Sequence, residues 1–138
     1  MELSVCKLYI DGSSLGNPGP AGYGFVIEAM GTVTTGSGHI GRATNNVAEY
    51  EALLQGLRRC LELRCKRVTV FTDSELLAKQ LKGEYRVRSP TLQRLHGEVR
   101  ALIERFEAFE VRHVRRHENE LANRLAQEAA KVGKQDTD

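Results

Sequence analysis

The spacing of the apolar residues changes near Asn46, and this change divides the chain into two parts that fold differently. Before Asn46, short runs of β-branched, aromatic and aliphatic residues predict strands. Residues 12–24 contain five glycines and two prolines and are expected to form a tight loop, and Met30-Gly31 is the expected hairpin turn. The resulting three-stranded antiparallel meander has its strands at residues 3–10, 23–29 and 32–40.

After Asn46, helical and strand-like segments alternate. Leucines recur at intervals of three and four residues up to residue 61, which is the period of an α-helix. Ser74 and Ser89 are typical N-cap residues, and Pro90 occupies the position where proline best starts a helix. These patterns predict helices at residues 46–63, 74–81, from 89 onward and 118–132, and strands at residues 67–73 and 108–114.

The order β-β-β-α-β-α-α-β-α predicts an α/β fold, with one mixed five-stranded sheet and helices on its faces. A chain of 138 residues forms one domain, which we assign to residues 1–132, and residues 133–138 are expected to be a flexible tail. A right-handed crossover would make the first and fourth strands parallel neighbours. Asp11 and Asp73 follow these strands, so we expect them side by side at the carboxyl edge of the sheet.

Glu49 adds a third carboxylate in the first turn of the helix after the third strand, where it faces partly inward. A half-buried carboxylate is costly unless it is paired or coordinates a cation. Taken singly, the aspartates could be turn formers and Glu49 could compensate the helix dipole. Three converging carboxylates are better explained by a cation site, and oxygen ligands alone favour Mg²⁺ or Mn²⁺ over zinc.

The composition excludes several classes of protein. No segment has the ~20 consecutive apolar residues of a membrane span, and the first residues lack the pattern of a signal peptide. A net charge of +2 does not by itself indicate nucleic-acid binding. Two basic clusters, at residues 82–88 and 112–117, are typical of a solvated surface unless they flank a chemical site.

The three cysteines, Cys6, Cys60 and Cys65, are an odd number without CxxC spacing. This pattern predicts neither a disulfide scaffold nor a zinc site. Cys60 and Cys65 could pair only if the backbone between them bends suitably. We therefore expect buried or free thiols in a reducing cytoplasm.

Four motifs, in chain order, resemble those of type 1 ribonuclease H between about Leu8 and Ala130. They are DGSSLGNPGP at residues 11–20, TNNVAEY at 44–50, TDS at 72–74 and ENELANRLA at 118–126. The resemblance implies the ribonuclease H fold and cleavage of the RNA strand of RNA–DNA hybrids.

The resemblance also implies the catalytic machinery. Asp11, Glu49 and Asp73 would hold two Mg²⁺ ions, with Mn²⁺ as a substitute, at the scissile phosphate. Two such ions activate the attacking water and stabilise the leaving 3′ oxygen, which gives 5′-phosphate products. Asp11, on the central strand, would bridge the ions. Asn123 matches the fourth metal ligand, and His117 is the nearest match to a mobile catalytic residue.

Short polar groups are implied to contact the substrate, because a hydrogen bond to a 2′-hydroxyl distinguishes RNA from DNA. The residues matched to contacts near the cut are Gly12, Ser13, Ser14, Asn45, Asn46 and Glu75. Those matched to a pocket for a DNA-strand phosphate are Asn17, Arg42 and Thr44. For Asn46, an N-cap of the helix is the alternative interpretation.

Two features depart from the family pattern. Residues 82–88 stand where some bacterial relatives carry a basic, tryptophan-rich helix, so weaker affinity is expected to depend on Lys82, Arg86 and Arg88. The fourth carboxylate position holds the neutral Asn123, which predicts a weakened metal site. Our hypothesis is that this asparagine is a deliberate substitution; the alternatives are ordinary helix surface for Asn123 and an ordinary surface histidine for His117.

We therefore predict a monomeric, cytoplasmic endonuclease that acts on RNA–DNA hybrids, with no membrane or protein partner. No N-terminal hybrid-binding module is expected, because the first strand begins by about residue 3. Two alternatives stay open: a hybrid-binding protein that hardly cuts, and another nuclease or strand-transfer domain of the same superfold. The first motif and the TNN sequence favour the hybrid-directed functions over the last alternative.

Overall fold

The computed structural model describes residues 5–135, and the side chains as far as residue 132. The predicted α/β fold and element order are confirmed, with a 3₁₀ turn at Arg116–Glu118 before the last helix. The strands are β1 (Val5–Ser14), β2 (Gly19–Ala29), β3 (Thr32–Ala43), β4 (Arg67–Thr72) and β5 (Ala108–His113). The helices are α1 (Asn45–Glu62), α2 (Glu75–Leu81), α3 (Pro90–Ile103) and α4 (Glu120–Gln135).

The five strands form one mixed sheet in the order β3-β2-β1-β4-β5. The first three strands pair antiparallel as the predicted meander, and its hairpin turn lies at Met30-Gly31, both with positive φ. β4 is parallel to β1 and to β5, with Ile10 opposite Thr72. The carboxyl ends of β1 and β4 therefore meet at one edge of the sheet, as predicted.

The glycine-rich segment is mostly strand, so the predicted loop at residues 12–24 is wrong. Ser13 and Ser14 pair with Gly22 and Ala21, and only the four residues between β1 and β2 form the turn. Alternating backbone hydrogen bonds across the hairpin override the low strand propensity of glycine and serine here. The first motif is consequently held on two paired strands.

The two faces of the sheet are covered differently. On one face, the apolar stripe of α1 packs on Leu8 and Ile10 to form the main core. On the other face, α4 contributes alanines rather than leucines, and Leu121 and Val132 are exposed. A Cβ at Gly22 or Gly24 would overlap the α4 backbone, so these glycines allow the helix to lie directly on β2.

α4 extends to Gln135, three residues beyond the helix end expected at residue 132. Residues 136–138 of the expected tail lie outside the described residues. Within residues 5–135, no helix combines the length and apolar composition that a membrane crossing requires.

Cys6 and Cys65 form a disulfide, so the expectation of free thiols is wrong for this pair. They meet because β1 and β4 are neighbours: Cys6 lies opposite Val68, and Cys65 lies in the turn that leads into β4. Their Cα atoms are 6.0 Å apart, although 59 positions separate them in the chain. Cys60 is a buried free thiol, as expected.

Candidate active site

Three carboxylates converge at the edge of the sheet, as the sequence predicts. One oxygen from each of Asp11, Glu49 and Asp73 lies within 4.8 Å of the others. Asp11 is only 4% exposed, and the other two side chains are half-buried. Asp11 follows Ile10, the last residue of β1 that pairs with β4; Asp73 follows β4, and Glu49 reaches them from the first turn of α1.

Burial and mutual repulsion oppose ionisation of two of these carboxyl groups. The pKa of Glu49 is raised to about 8, mainly by desolvation and also by the charges of Asp11 and Asp73, against a hydrogen bond with Ser74 that lowers it. Desolvation also raises the pKa of Asp11 to about 6, with a contribution from Asp73, against a hydrogen bond from Asn123 that lowers it. The cluster therefore favours a bound proton or a cation at neutral pH.

A divalent cation fits this cluster. Asp73 Oδ2 is buried and has no hydrogen-bond partner among the described residues. A buried carboxylate oxygen without a donor is costly, and a cation would supply the missing interaction. The three side chains offer only oxygen ligands, which suits a hard cation such as Mg²⁺.

Gly12 brings α1 close to β1. A Cβ at Gly12 would overlap the backbone of Ala48 and Glu49, so a larger residue would push the helix and its glutamate away. Ser74 holds Glu49 from the side of α2, because it caps this helix and forms a hydrogen bond with the Glu49 side chain. The substrate contact predicted for Gly12 stays a prediction beside this packing role.

Two asparagines, Asn123 in α4 and Asn119 just before this helix, lie at the end of β1. The Asn123 side-chain amide donates a hydrogen bond to Asp11 Oδ2 at 2.5 Å, so Asn123 is not ordinary helix surface. One turn earlier, the buried Asn119 donates to the Ile10 carbonyl at 2.8 Å. Asn119 is a site residue that the sequence motifs did not predict; its spacing of four residues from Asn123 was the available signal.

His117 lies on the exposed rim beside Asn123. Both side chains line an open cavity of about 690 Å³, together with Arg116, Glu120, Arg124 and Gln127. His117 is exposed, and within the described residues its ring makes no hydrogen bond or ion pair with the carboxylates. Its catalytic role stays a prediction.

The polar residues predicted to contact the substrate meet where β1 and β3 end. The Ser14 amide donates to Asn45 Oδ1 at 2.8 Å, and the Asn45 amide donates to Asn17 Oδ1 at 2.9 Å. The Ser14 hydroxyl donates to the Ala43 carbonyl at 2.6 Å. These bonds use the side-chain oxygens of Asn17 and Asn45, which leaves their amide N–H groups for another acceptor.

Thr44 caps α1, because the Val47 amide donates to its Oγ1 at 3.2 Å. The alternative that Asn46 is the N-cap is therefore wrong; Asn46 is exposed in the first turn. Arg42 is exposed on β3, where it lies opposite Pro20 in the strand register. Arg42, Thr44 and Asn17 thus lie in one region, as the predicted phosphate pocket requires.

The region after β4 carries the other predicted contacts. Glu75 forms an exposed ion pair with Lys79 at 2.8 Å. Arg86 and Arg88 are exposed between α2 and α3 and line a cavity of about 550 Å³. Lys82 is exposed and lines a different cavity, toward β5.

Two glutamines hold the backbone of this basic segment. Gln80 is buried; it accepts from the Tyr50 hydroxyl at 2.7 Å and donates to the Arg86 carbonyl at 3.4 Å. Gln93, in α3, donates to the Val87 carbonyl at 3.1 Å. The segment is short but anchored from both helices.

Known proteins resemble the chain over most of its length. The family described as "Reverse transcriptase-like" matches residues 9–129. Ribonuclease HI of Halobacterium salinarum is 42% identical over 123 residues, which are 88% of this chain and 62% of that protein. Bifunctional and uncharacterised mycobacterial proteins are 43% identical over 122 residues, and the chain spans only about a third of their length (34%).

Solved structures of RNase H proteins resemble the fold of this chain. The N-terminal RNase H domain of a Mycobacterium tuberculosis protein superposes with a TM-score of 0.94 at 38% identity, covering 98% of this chain and 99% of that domain. LC11-RNase H1 in complex with an RNA/DNA hybrid superposes with a TM-score of 0.86 at 36% identity, covering 93% of this chain and 98% of that one.

Proposed function

The chain belongs to the ribonuclease H family, and on that premise we propose that it is an endonuclease that hydrolyses the RNA strand of RNA–DNA hybrids. The observation that carries the proposal is the convergence of Asp11, Glu49 and Asp73 within 4.8 Å at the carboxyl edge of the sheet. A relative of 36% identity that was crystallised with an RNA/DNA hybrid supports this substrate.

In this proposal, Asp11, Glu49 and Asp73 would hold two Mg²⁺ ions when the substrate is bound, and Mn²⁺ could substitute. Such ions supply an activated water and charge stabilisation at the leaving oxygen. Asp11, the most buried of the three, would be the ligand shared by the ions, as the resemblance to the family implies. The raised pKa values of Asp11 and Glu49 mean that these side chains bind the ions fully only as they lose their protons.

Substrate recognition is proposed to use the free amide groups of Asn17 and Asn45. Their oxygens are occupied by backbone N–H groups, so the remaining N–H groups can donate to phosphate or ribose oxygens. Arg42 adds a positive charge to the same region. Gly12, Ser13, Ser14, Asn46 and Glu75 are proposed to complete the contacts near the cut.

A hybrid-binding protein with little cleavage is the second candidate. The Asn123 amide presents an N–H to Asp11, where an acidic side chain would present oxygen. This hydrogen bond occupies an oxygen of Asp11 that a cation needs. It supports attenuated cleavage with hybrid binding retained.

The wider proposals concern assembly and location. All proposed site residues come from one chain, which supports a monomer composed of a single catalytic domain at residues 1–132. We propose action in the cytoplasm, where replication and transcription hybrids form. Free thiols were one reason to expect a reducing cytoplasm, and the Cys6–Cys65 disulfide removes it. The proposed location follows from the substrate alone.

The test is a panel of labelled RNA–DNA hybrid, double-stranded RNA, double-stranded DNA and single-stranded RNA, each with Mg²⁺ or Mn²⁺. We expect cleavage of the hybrid only. Asp11→Asn should lower the rate by about a thousandfold while hybrid binding in EDTA is retained, because a metal ligand is lost and repulsion of phosphate decreases.

Glu98→Gln is the matched control, since Glu98 is an exposed carboxylate in α3, paired with Arg94. Its cleavage rate should stay at the parental level. Residual activity of Asp11→Asn within tenfold of the parent would contradict the metal assignment. Binding without cleavage by the parent chain would favour the second candidate.

A further inference from the structure

A basic cavity adjoins the carboxylates on the α4 side of the sheet. It measures about 690 Å³ and is open to solvent, and Arg116 and Arg124 stand on its rim with Asn123. The sequence motifs assign no function to either arginine. The cavity lies beside the proposed catalytic centre, where part of the substrate could enter it.

The two arginines are available for an external anion. Arg116 and Arg124 are exposed, and within residues 5–132 neither guanidinium makes an ion pair or a side-chain hydrogen bond. The other titratable groups on the cavity are His117 and Glu120. Two permanent positive charges thus stand against one carboxylate.

The cavity lies next to the proposed binding position of the RNA strand that is cleaved. Asn123 lines the cavity and also donates to Asp11, so the cavity begins one side chain away from the proposed bridging ligand. The charge of Arg116 reaches Asp11 and lowers its pKa, against the larger opposite effect of burial. The polar cluster around Asn17 and Asn45 lies on the α1 side, so it does not share this space.

Each strand of a DNA duplex carries a phosphate every ~3.4 Å of helix axis. The phosphates of a hybrid are also closely spaced, so a strand with its scissile phosphate at Asp11 places its next phosphates nearby. Arginine binds phosphate oxygens through paired N–H groups. We infer that Arg116 and Arg124 form a second anion site that holds an RNA-strand phosphate next to the scissile one. This inference rests on the proposed function and adds a residue pair that fixes the register of the cleaved strand.

The test measures hybrid binding in EDTA, so that cleavage does not enter. Hybrids carry one uncharged methylphosphonate at a chosen position of the RNA strand, with a 2′-O-methyl group at that nucleotide; the reference hybrids carry the same group and an ordinary phosphate. For the parent chain, neutralising the phosphate beside the scissile one should weaken binding about fivefold to tenfold. Neutralising distant phosphates of the strand should cost less.

The variants Arg116→Gln and Arg124→Gln should bind the reference hybrid more weakly than the parent chain by a similar factor. Neutralising the phosphate beside the scissile one should not weaken their binding further, because removing either partner of one contact already removes the contact. Arg105→Gln is the control, since Arg105 is exposed at the opposite end of the sheet, before β5. It should keep the parental sensitivity to the neutral linkage.

The inference would be overturned if the arginine substitution and the neutral linkage reduced hybrid affinity additively at every position of the linkage, even if the hybrid is cleaved normally. If the parent chain failed to bind the hybrid, the proposed function would fall together with this site. These outcomes are distinguishable, because the first leaves hybrid cleavage intact. Circular dichroism of each variant would establish that the fold is retained.

Discussion

The side-chain amide of Asn123 distinguishes the proposed metal site from one built only of carboxylates. Asn123 has nearly the shape of aspartate, but it donates a hydrogen bond to Asp11 and carries no charge. A neutral carbonyl oxygen holds a divalent cation more weakly than a carboxylate does. The proposed site therefore carries one negative charge fewer than it would with an aspartate at this position.

Replacing Asn123 by aspartate should add a negative charge to the proposed metal site. We expect Asn123→Asp to raise the cleavage rate at limiting Mg²⁺ by at least about tenfold, with little change in hybrid affinity, because the added ligand acts on the metal. Initial rates over a range of Mg²⁺ concentrations give the measurement. Gln127→Glu is the control, since it adds the same charge to the same cavity one turn further along α4; an equal gain in both variants would argue for a general charge effect.

The raised pKa values predict how the metal-free protein responds to pH. Glu49 and Asp11 have folded-state pKa values of about 8 and about 6, above the ordinary values of 4.5 and 3.8. The folded state thus binds protons more tightly than the unfolded state. The resulting stability is present below about pH 4 and is lost as the pH rises toward 8.

In EDTA, we expect the free energy of unfolding to fall by at least about 2 kcal/mol between pH 5 and pH 8. The free energy of unfolding of Glu49→Gln should fall much less over this pH range, because a neutral amide replaces the carboxyl group with the larger pKa shift. Glu98→Gln should show the pH dependence of the parent. Urea titrations at both pH values provide the comparison. Mg²⁺ should recover stability mainly at pH 8; equal pH dependence in parent and Glu49→Gln would show that burial does not strain the cluster.

Among the elements, α4 depends most on close packing. Its alanines lie on Gly22 and Gly24, and His39 on β3 contributes a hydrogen bond at 3.1 Å to the Ala129 carbonyl. This contact positions Asn119 and Asn123 at the end of β1. The distance between helix and sheet is thereby linked to the geometry of the carboxylates.

Gly24→Ala should therefore destabilise the protein by about 2–3 kcal/mol and reduce cleavage, because the new Cβ would overlap the Ala122 carbonyl and the Leu125 Cβ. Gly97→Ala is the matched control. Gly97 lies inside α3, where a Cβ meets no other atom within 4 Å, so this change should stabilise by about 0.5–1 kcal/mol. Thermal and urea unfolding measure both, and similar effects of the two substitutions would contradict close packing at Gly24.

The segment between α2 and α3 carries charge on an anchored backbone. Replacing Arg86 and Arg88 together by alanine should weaken binding to all hybrid sequences and reduce the salt-dependence slope by up to about two units, since each phosphate contact releases counterions. Binding titrations at several salt concentrations measure the slope. Arg105→Ala should leave it unchanged; an unchanged slope in the double variant would mean that both arginines face away from the nucleic acid.

Local patterns in the sequence predicted the elements well and their packing only partly. The caps at Ser74 and Ser89 are visible in the sequence because a hydroxyl side chain acts on an amide three residues away. The α4 pattern was less informative, because its buried contact face consists mainly of alanines, while Leu121 and Val132 are exposed. The glycines that receive α4 lie about a hundred residues earlier, and no local pattern connects them.

For the molecule as a whole, contacts between distant parts of the chain were the least predictable. The parallel pairing of β1 with β4 followed from topology, and it brought Asp11 and Asp73 together as expected. The same pairing created the Cys6–Cys65 disulfide, which cysteine spacing did not indicate. The bond from Asn119 to Ile10 spans 109 positions and likewise depends on the complete fold.

The distribution of the site along the chain has a consequence for its synthesis. Asp11 lies near the amino terminus, whereas its hydrogen-bond donor Asn123 comes 112 positions later, on the last element. A ribosome releases the three acidic side chains well before α4 has emerged. A half-made chain therefore lacks the helix that completes their surroundings, and the proposed nuclease would acquire its final arrangement only once translation of its last helix has ended.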